Sequence, residues 1–183
     1  MANREALREL QARLASRLQA AQSEGLSVAW LAVRAGGCQY LLPLGQSGEI
    51  FPLGQVQAVP YVKDWFRGVI NVRGSLLGVV TLSAFVASEH AGGAAAAPAA
   101  NPAAPVSEAS VVTLNELLEV NCALLVDSLA GLRGSDAFQS AEQPAADAPA
   151  YFGNCFIDAE GVRWQEINLR ALAQLPRFLN ISA

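Results

Sequence analysis

The chain has one lysine, Lys63, and one histidine, His90, and only 15% of its 183 residues are charged. With a net charge of −4 and no basic cluster, it lacks the electrostatic footprint of a nucleic-acid binder. A single lysine outside any G-x-x-x-x-G-K-[ST] loop removes the usual phosphate-handling enzymes. The histidine sits in a run of alanine, glycine and proline that cannot hold an imidazole rigidly, which excludes a Ser-His-Asp device. Gly45-Gln-Ser47-Gly48 falls short of a nucleophile elbow because position 49 is Glu. Three cysteines, Cys38, Cys122 and Cys155, are too far apart and odd in number for a disulfide framework or a C-x-x-C metal clip. Reduced, mostly buried thiols in the cytoplasm are expected. No signal-peptide run opens the chain, because residues 1–24 are charged throughout. The longest apolar window, 68–87, contains Arg73, three glycines and a turn. It reads as a buried β hairpin, so no membrane insertion is expected. No cofactor or metal is implied.

What remains is 52% hydrophobic, enough for one domain or two small lobes with an ordinary core. Residues 3–24 read as one helix, with Leu7, Leu10, Leu14 and Leu18 as an apolar stripe and Gly25 as its stop. The stripe fits packing on the helix's own domain, a partner contact or a homodimer seam. It lacks the aromatic anchors of a membrane-surface helix. From residue 28 the period changes to two, giving a hairpin around Gly36-Gly37 and short extended segments at 49–51 and 55–58. Residues 61–66 fit a single helical turn. Residues 87–107, rich in Ala, Pro and Gly, are expected to be a flexible inserted loop, and 135–150 a second. Near residue 115 two signals compete: Thr113-Leu-Asn-Glu116 matches a capping box, while 121–129 is rich in strand formers. Residues 151–158 and 162–167 form a further hairpin around Glu160-Gly161. Asp158 and Glu160 read as solvated turn residues. Asn168 caps a terminal helix over 169–175 that Pro176 ends.

The stretch from 65 to 85, WFRGVINVRGSLLGVVTLSAF, is the most informative. Two apolar runs flank Gly74-Ser75, a dipeptide suited to a type II′ turn. Strand alternation then puts Val69, Asn71 and Arg73 on one face, with Ile70 and Val72 on the other. None of the three is a nucleophile, general base or metal ligand, so this surface points to binding rather than catalysis. Gly68 and Gly74 are read as structural turn glycines. A strand arginine is costly to bury unpaired. Arg73 is therefore either ion-paired internally, with Glu49 or Asp127 as candidates, or exposed at an interface.

Gly68-Val-Ile-Asn71-Val-Arg73-Gly74 resembles the G-x-x-N-x-R-G hairpin of CheW-like coupling domains. The resemblance runs over about 26–175. It takes in the opening hairpin, Glu49-Ile50, Val59-Pro60 and the stretch from Ala123 through Asp127 to Gly131. Trp65-Phe66, Asn115, Asn121-Cys122 and the N-terminal extension resemble the PilI branch of pilus-linked couplers. The resemblance implies a mainly β fold: two packed five-stranded antiparallel barrels over 26–183, after an N-terminal amphipathic helix at 1–25 and with a short C-terminal helix. It favours strands at 110–114 and 120–128 around a turn at 115–118. It implies a non-enzymatic adaptor that binds a chemoreceptor cytoplasmic tip and a histidine kinase regulatory domain, in the cytoplasm at membrane-associated receptor arrays. That system would control type IV pili and twitching motility. Val69, Asn71, Arg73 and Asp127 are the implied partner-binding residues; Asp127 could equally bond a turn backbone. Where family members read Pro-x-x-Asp-Leu, this chain has Gly78-Val-Val-Thr81-Leu82, so the acidic partner expected beside Arg73 is absent. The alternative reading is a structural or self-associating protein of the same fold, dimerising through its N-terminal helix.

Overall fold

The computed structural model describes residues 30–90 and 109–183. The helix read at 3–24, the start of the domain at 26 and most of the 87–107 loop lie outside the described residues.

The order of elements is β1 (Trp30–Ala35), β2 (Cys38–Pro43), β3 (Ser47–Pro52), β4 (Phe66–Val72), β5 (Ser75–Thr81) and helix α1 (Leu82–His90). Then come β6 (Ser110–Leu114), β7 (Cys122–Val126), β8 (Ser128–Arg133), β9 (Phe138–Glu142), β10 (Phe152–Asp158), β11 (Arg163–Ile167) and short helices α2 (Leu169–Ala173) and α3 (Pro176–Leu179). The strands make a six-stranded sheet, β8-β1-β2-β11-β10-β9, and a five-stranded sheet, β3-β6-β7-β5-β4. The fold is mainly β, as expected, with two differences from paired five-stranded antiparallel barrels. Two pairs are parallel, β2 with β11 and β5 with β7. The sixth strand of the first sheet, β9, comes from residues expected to be loop.

Each sheet buries apolar side chains on both of its faces. The main core lies between the sheets, with Leu31, Val33, Tyr40 and Leu42 from the first and Val80, Val112, Leu124 and Val126 from the second. The other face of the first sheet buries Trp30, Ala32, Leu41 and Trp164; that of the second buries Ile70, Val79, Val111 and Ala123. This is why β1, buried at every position but Arg34, does not show the period of two expected from residue 28. The first sheet curls on itself: the ring of Trp30, near one edge, packs at 5.9 Å on that of Phe138 from the opposite edge strand.

Several local expectations are corrected. The 135–150 segment is not one loop, because Phe138 packs on Trp30 and Phe156 and anchors β9 against β10. The loop assigned to 87–107 starts later, since 87–90 complete α1. That helix forms because Leu82, Phe85 and Val86, at helical spacing, all enter the inter-sheet core. Residues 61–66 hold a turn closed by the Phe66 N–H on the Lys63 carbonyl, not a helical turn. Pro176 opens α3 rather than only ending α2. Of the three free cysteines only Cys122 is buried; Cys38 and Cys155 are half-buried.

Asp158 is also not a solvated turn residue. It is 3% exposed and accepts hydrogen bonds from Trp164 Nε1 (2.8 Å) and from the Val162 and Glu160 N–H groups (2.8 and 3.1 Å). These bonds, led by that from Trp164, hold its carboxyl below the usual carboxylate range against the opposing effect of burial. A carboxyl lowered in the folded state stabilises fully above its unfolded value of about 4, and the gain is lost as pH falls toward the folded value. Asp158→Asn is therefore expected to lower the melting temperature at pH 7. It should also flatten the acid limb below about pH 4 relative to the wild type. Melting followed from pH 7 to pH 2 checks both, and parallel acid limbs would show that Asp158 is not their source.

Candidate functional site

The β4–β5 hairpin ends in a two-residue loop, but the loop is Arg73-Gly74, because Val72 pairs with Ser75. Both loop residues have positive φ, +50° and +88°. That is the signature of a type I′ turn rather than the expected type II′ at Gly74-Ser75. Asn71 explains why an arginine tolerates the left-handed position: its Oδ1 accepts the Gly74 N–H at 3.0 Å and fixes the turn. Arg73 accordingly leaves the strand face it was expected to share with Val69 and Asn71.

At this turn Arg73 meets Glu49. Its Nη1 lies 2.9 and 2.8 Å from the two carboxylate oxygens, and its Cζ lies 5.6 Å from the centre of the Phe51 ring. Glu49 and Phe51 belong to β3, the edge opposite β4 in the second sheet. The pair thus ties the hairpin tip to the far edge of the curled sheet. The two side chains remain 73% and 58% exposed, so the pair adds at most about 1 kcal/mol to stability. Thr81 could not have supplied the acid. At about 3.3 Å per residue it lies at the other end of β5, roughly 20 Å from the turn.

Behind the pair opens a groove of about 740 Å³, walled by Phe51, Val72, Leu77, Leu114 and Val120. Its outer lip is the 3₁₀ turn Glu116–Leu118, where Leu117 is 84% exposed. Asn115 caps this turn by accepting the Leu117 N–H at 2.9 Å, and its own N–H donates to the Gln46 carbonyl at 3.0 Å. The lip is thereby held to the β2–β3 connection. Thr113, offered above as a capping residue, instead takes the Glu49 N–H on its hydroxyl at 2.8 Å. The thiol of Cys122, at the groove's inner end, is pushed up to about 12 by burial. It stays protonated near neutral pH and is no nucleophile. Among the described residues no group of three or more His, Cys, Asp or Glu could hold a metal ion. No described helix is long and apolar enough to cross a membrane. The groove offers an apolar floor, an amide cap and one ion pair, which is chemistry for recognition.

The other expected residues lie elsewhere. Val69 faces Gln57, exchanging backbone hydrogen bonds of 2.8 and 2.9 Å with it. Gly68 is not in a turn but at a bulge in β4, with φ +132°. Asp127, on the link from β7 to β8, accepts the Gly36 N–H at 2.7 Å while its own N–H donates to the Arg34 carbonyl at 2.9 Å. It fixes the β1–β2 turn and makes no bond to Arg73. Phe51 and Leu117 were not singled out from the sequence. The available signals were Glu49 directly before the apolar Ile50-Phe51 and a bare Leu-Leu between Glu116 and Glu119 after a capping Asn.

Comparison with known proteins gives the family and the fold. A family model described as CheW-like domain matches residues 29–177. Protein PilI of Pseudomonas aeruginosa is 30% identical over 172 residues, covering 93% of this chain and 89% of its own length. The crystal structure of the scaffolding protein TtCheW from Thermoanaerobacter tengcongensis superposes with a TM-score of 0.59 at 12% identity. The match covers 78% of this chain and 89% of that one, and it concerns the fold.

Proposed function

This chain belongs to the CheW-like domain family, and from that premise we propose that it is a non-enzymatic adaptor coupling a chemoreceptor to a histidine kinase. The observation that carries this reading is the groove itself: an apolar floor beneath a solvent-exposed Arg73–Glu49 pair, with Leu117 standing free at its lip. An amphipathic helix of a receptor's cytoplasmic tip would lay its apolar face on that floor and present a carboxylate to Arg73. Val69, Asn71 and Asp127 act in this scheme by shaping the hairpin and the β1–β2 turn. The kinase regulatory domain would occupy another face. Each contact can be weak, because many adaptors act together in one array and avidity multiplies them. The adaptor would work in the cytoplasm at receptor arrays. The likeness to Protein PilI supports a system governing type IV pili and twitching motility.

Isothermal titration of the full chain with a soluble receptor-tip coiled coil, and separately with the kinase regulatory domain, tests the proposal. Saturable binding of both, each without displacing the other, is expected. Failure to bind either while self-association is strong would favour the structural alternative.

A further inference from the structure

The apolar face that builds the inter-sheet core does not stop where the second sheet stops covering it. Two cross-strand rows run across the first sheet, fixed by register: Leu132–Leu31–Leu42 and Leu129–Val33–Tyr40. Directly opposed residues of paired strands point to the same face. The inner members of both rows lie in the main core. Their outer members, on the edge strand β8, are 67% (Leu132) and 40% (Leu129) exposed. Two residues three apart on a strand would normally face opposite ways. A bulge at Ala130 and Gly131, with Gly131 at φ +91°, shifts the register and returns both leucines to one side. The bulge thus sets two leucines side by side on an edge that no other described strand pairs, an apolar seat continuous with the core.

We propose that the cover of this seat is this chain's own segment 3–24, docked through Leu7, Leu10, Leu14 and Leu18. The tether makes the choice. Residues 25–29 join the segment to Trp30, whose partner across the strand pair is Arg133, next to Leu132. Five extended residues span at most about 18 Å, and neighbouring strands lie about 4.8 Å apart. The segment therefore starts within reach of β8. So short a tether gives an effective concentration on the order of millimolar, which outcompetes a second copy at micromolar protein. The periodic leucines then have an apolar seat, and the edge of β8 is shielded from pairing with another chain.

Hydrogen exchange read by mass spectrometry on the full chain, at two protein concentrations tenfold apart, tests this. Residues 3–24 should be protected equally at both. Leu132→Asp should speed their exchange at least tenfold without changing the melting of the domain, and Leu14→Asp should speed exchange in β8 in return. Should Leu132→Asp itself disturb the domain, Leu132→Ser gives the same readout without a charge. Protection that rises with concentration would assign the seat to a second copy and overturn the proposal. Unprotected residues 3–24 in the wild type, or protection indifferent to both Leu132 substitutions, would overturn it equally.

Discussion

Arg73→Glu is expected to weaken binding to a receptor-tip coiled coil by at least about 30-fold, which corresponds to about 2 kcal/mol. The melting temperature should move by no more than about 3 °C, because the pair it breaks is exposed and worth little to stability. The kinase titration should be unaffected. The loss has two sources. The guanidinium that would meet the partner carboxylate disappears, and the new acid faces Glu49 across the groove mouth, opening the contact that ties the hairpin tip to β3. A charge swap separates them. Arg73→Glu with Glu49→Arg restores an ion pair across the groove but leaves a carboxylate where the partner expects a cation. Continued weak binding by the double variant would assign recognition to the Arg73 guanidinium itself. Recovery would show that only the tie matters, and unchanged binding by the single variant would remove Arg73 from the site.

The largest stability loss is expected from Gly68→Ala. A Cβ built there would lie 2.2 Å from the Gln57 carbonyl oxygen and 2.9 Å from its carbon. Both atoms are backbone, and Gln57 is held by its own paired hydrogen bonds to Val69. The φ of +132° is open in practice only to glycine. Strain and clash together should cost about 3–5 kcal/mol, lowering the melting temperature by roughly 10 °C. Gly74→Ala is the control. It too has positive φ, +88°, but nothing lies within 4 Å of its Cβ position, so it should cost only about 1 kcal/mol. Denaturant titration of the two variants side by side reads the difference. Equal losses would mean that the strand carrying Gln57 yields freely and that the close approach is not what demands glycine at 68.

Hairpins declared themselves wherever a glycine pair or a Glu-Gly turn separated two short apolar runs, as at Gly36-Gly37 and Glu160-Gly161. Elements set by distant packing did not. Strand β9 has one apolar anchor, Phe138, in a polar run, and its place depends on Trp30, more than a hundred residues earlier in the chain. Helix α1 was hidden because residues 82–86 continue an apolar run in which buried strand and buried helix share one composition. The hairpin turn lies one residue earlier than expected because arginine rarely takes positive φ; here the Asn71 bond to Gly74 closes the turn around it. The same slip removed Arg73 from its expected strand face. Its partner Glu49 was among the candidates, but the second, Asp127, was not distinguishable from it until the β1–β2 turn was seen to use Asp127's carboxylate. Asp158 looked solvated because its neighbours Glu160 and Gly161 mark a turn. Nothing in the sequence announces that the Trp164 indole N–H reaches back to it.

The parallel pairing of β2 with β11 has a consequence for how the protein is made. All five strands of the second sheet lie between residues 47 and 126, so the groove-bearing half can assemble from one continuous stretch of nascent chain. The first sheet cannot: β2 is synthesised about 120 residues before the strand that lies beside it. At about 5–20 residues per second this leaves roughly 6 to 24 s in which the inner edge of the β1–β2 hairpin is bare. The groove-bearing half can therefore form before the strands that complete the other half have emerged.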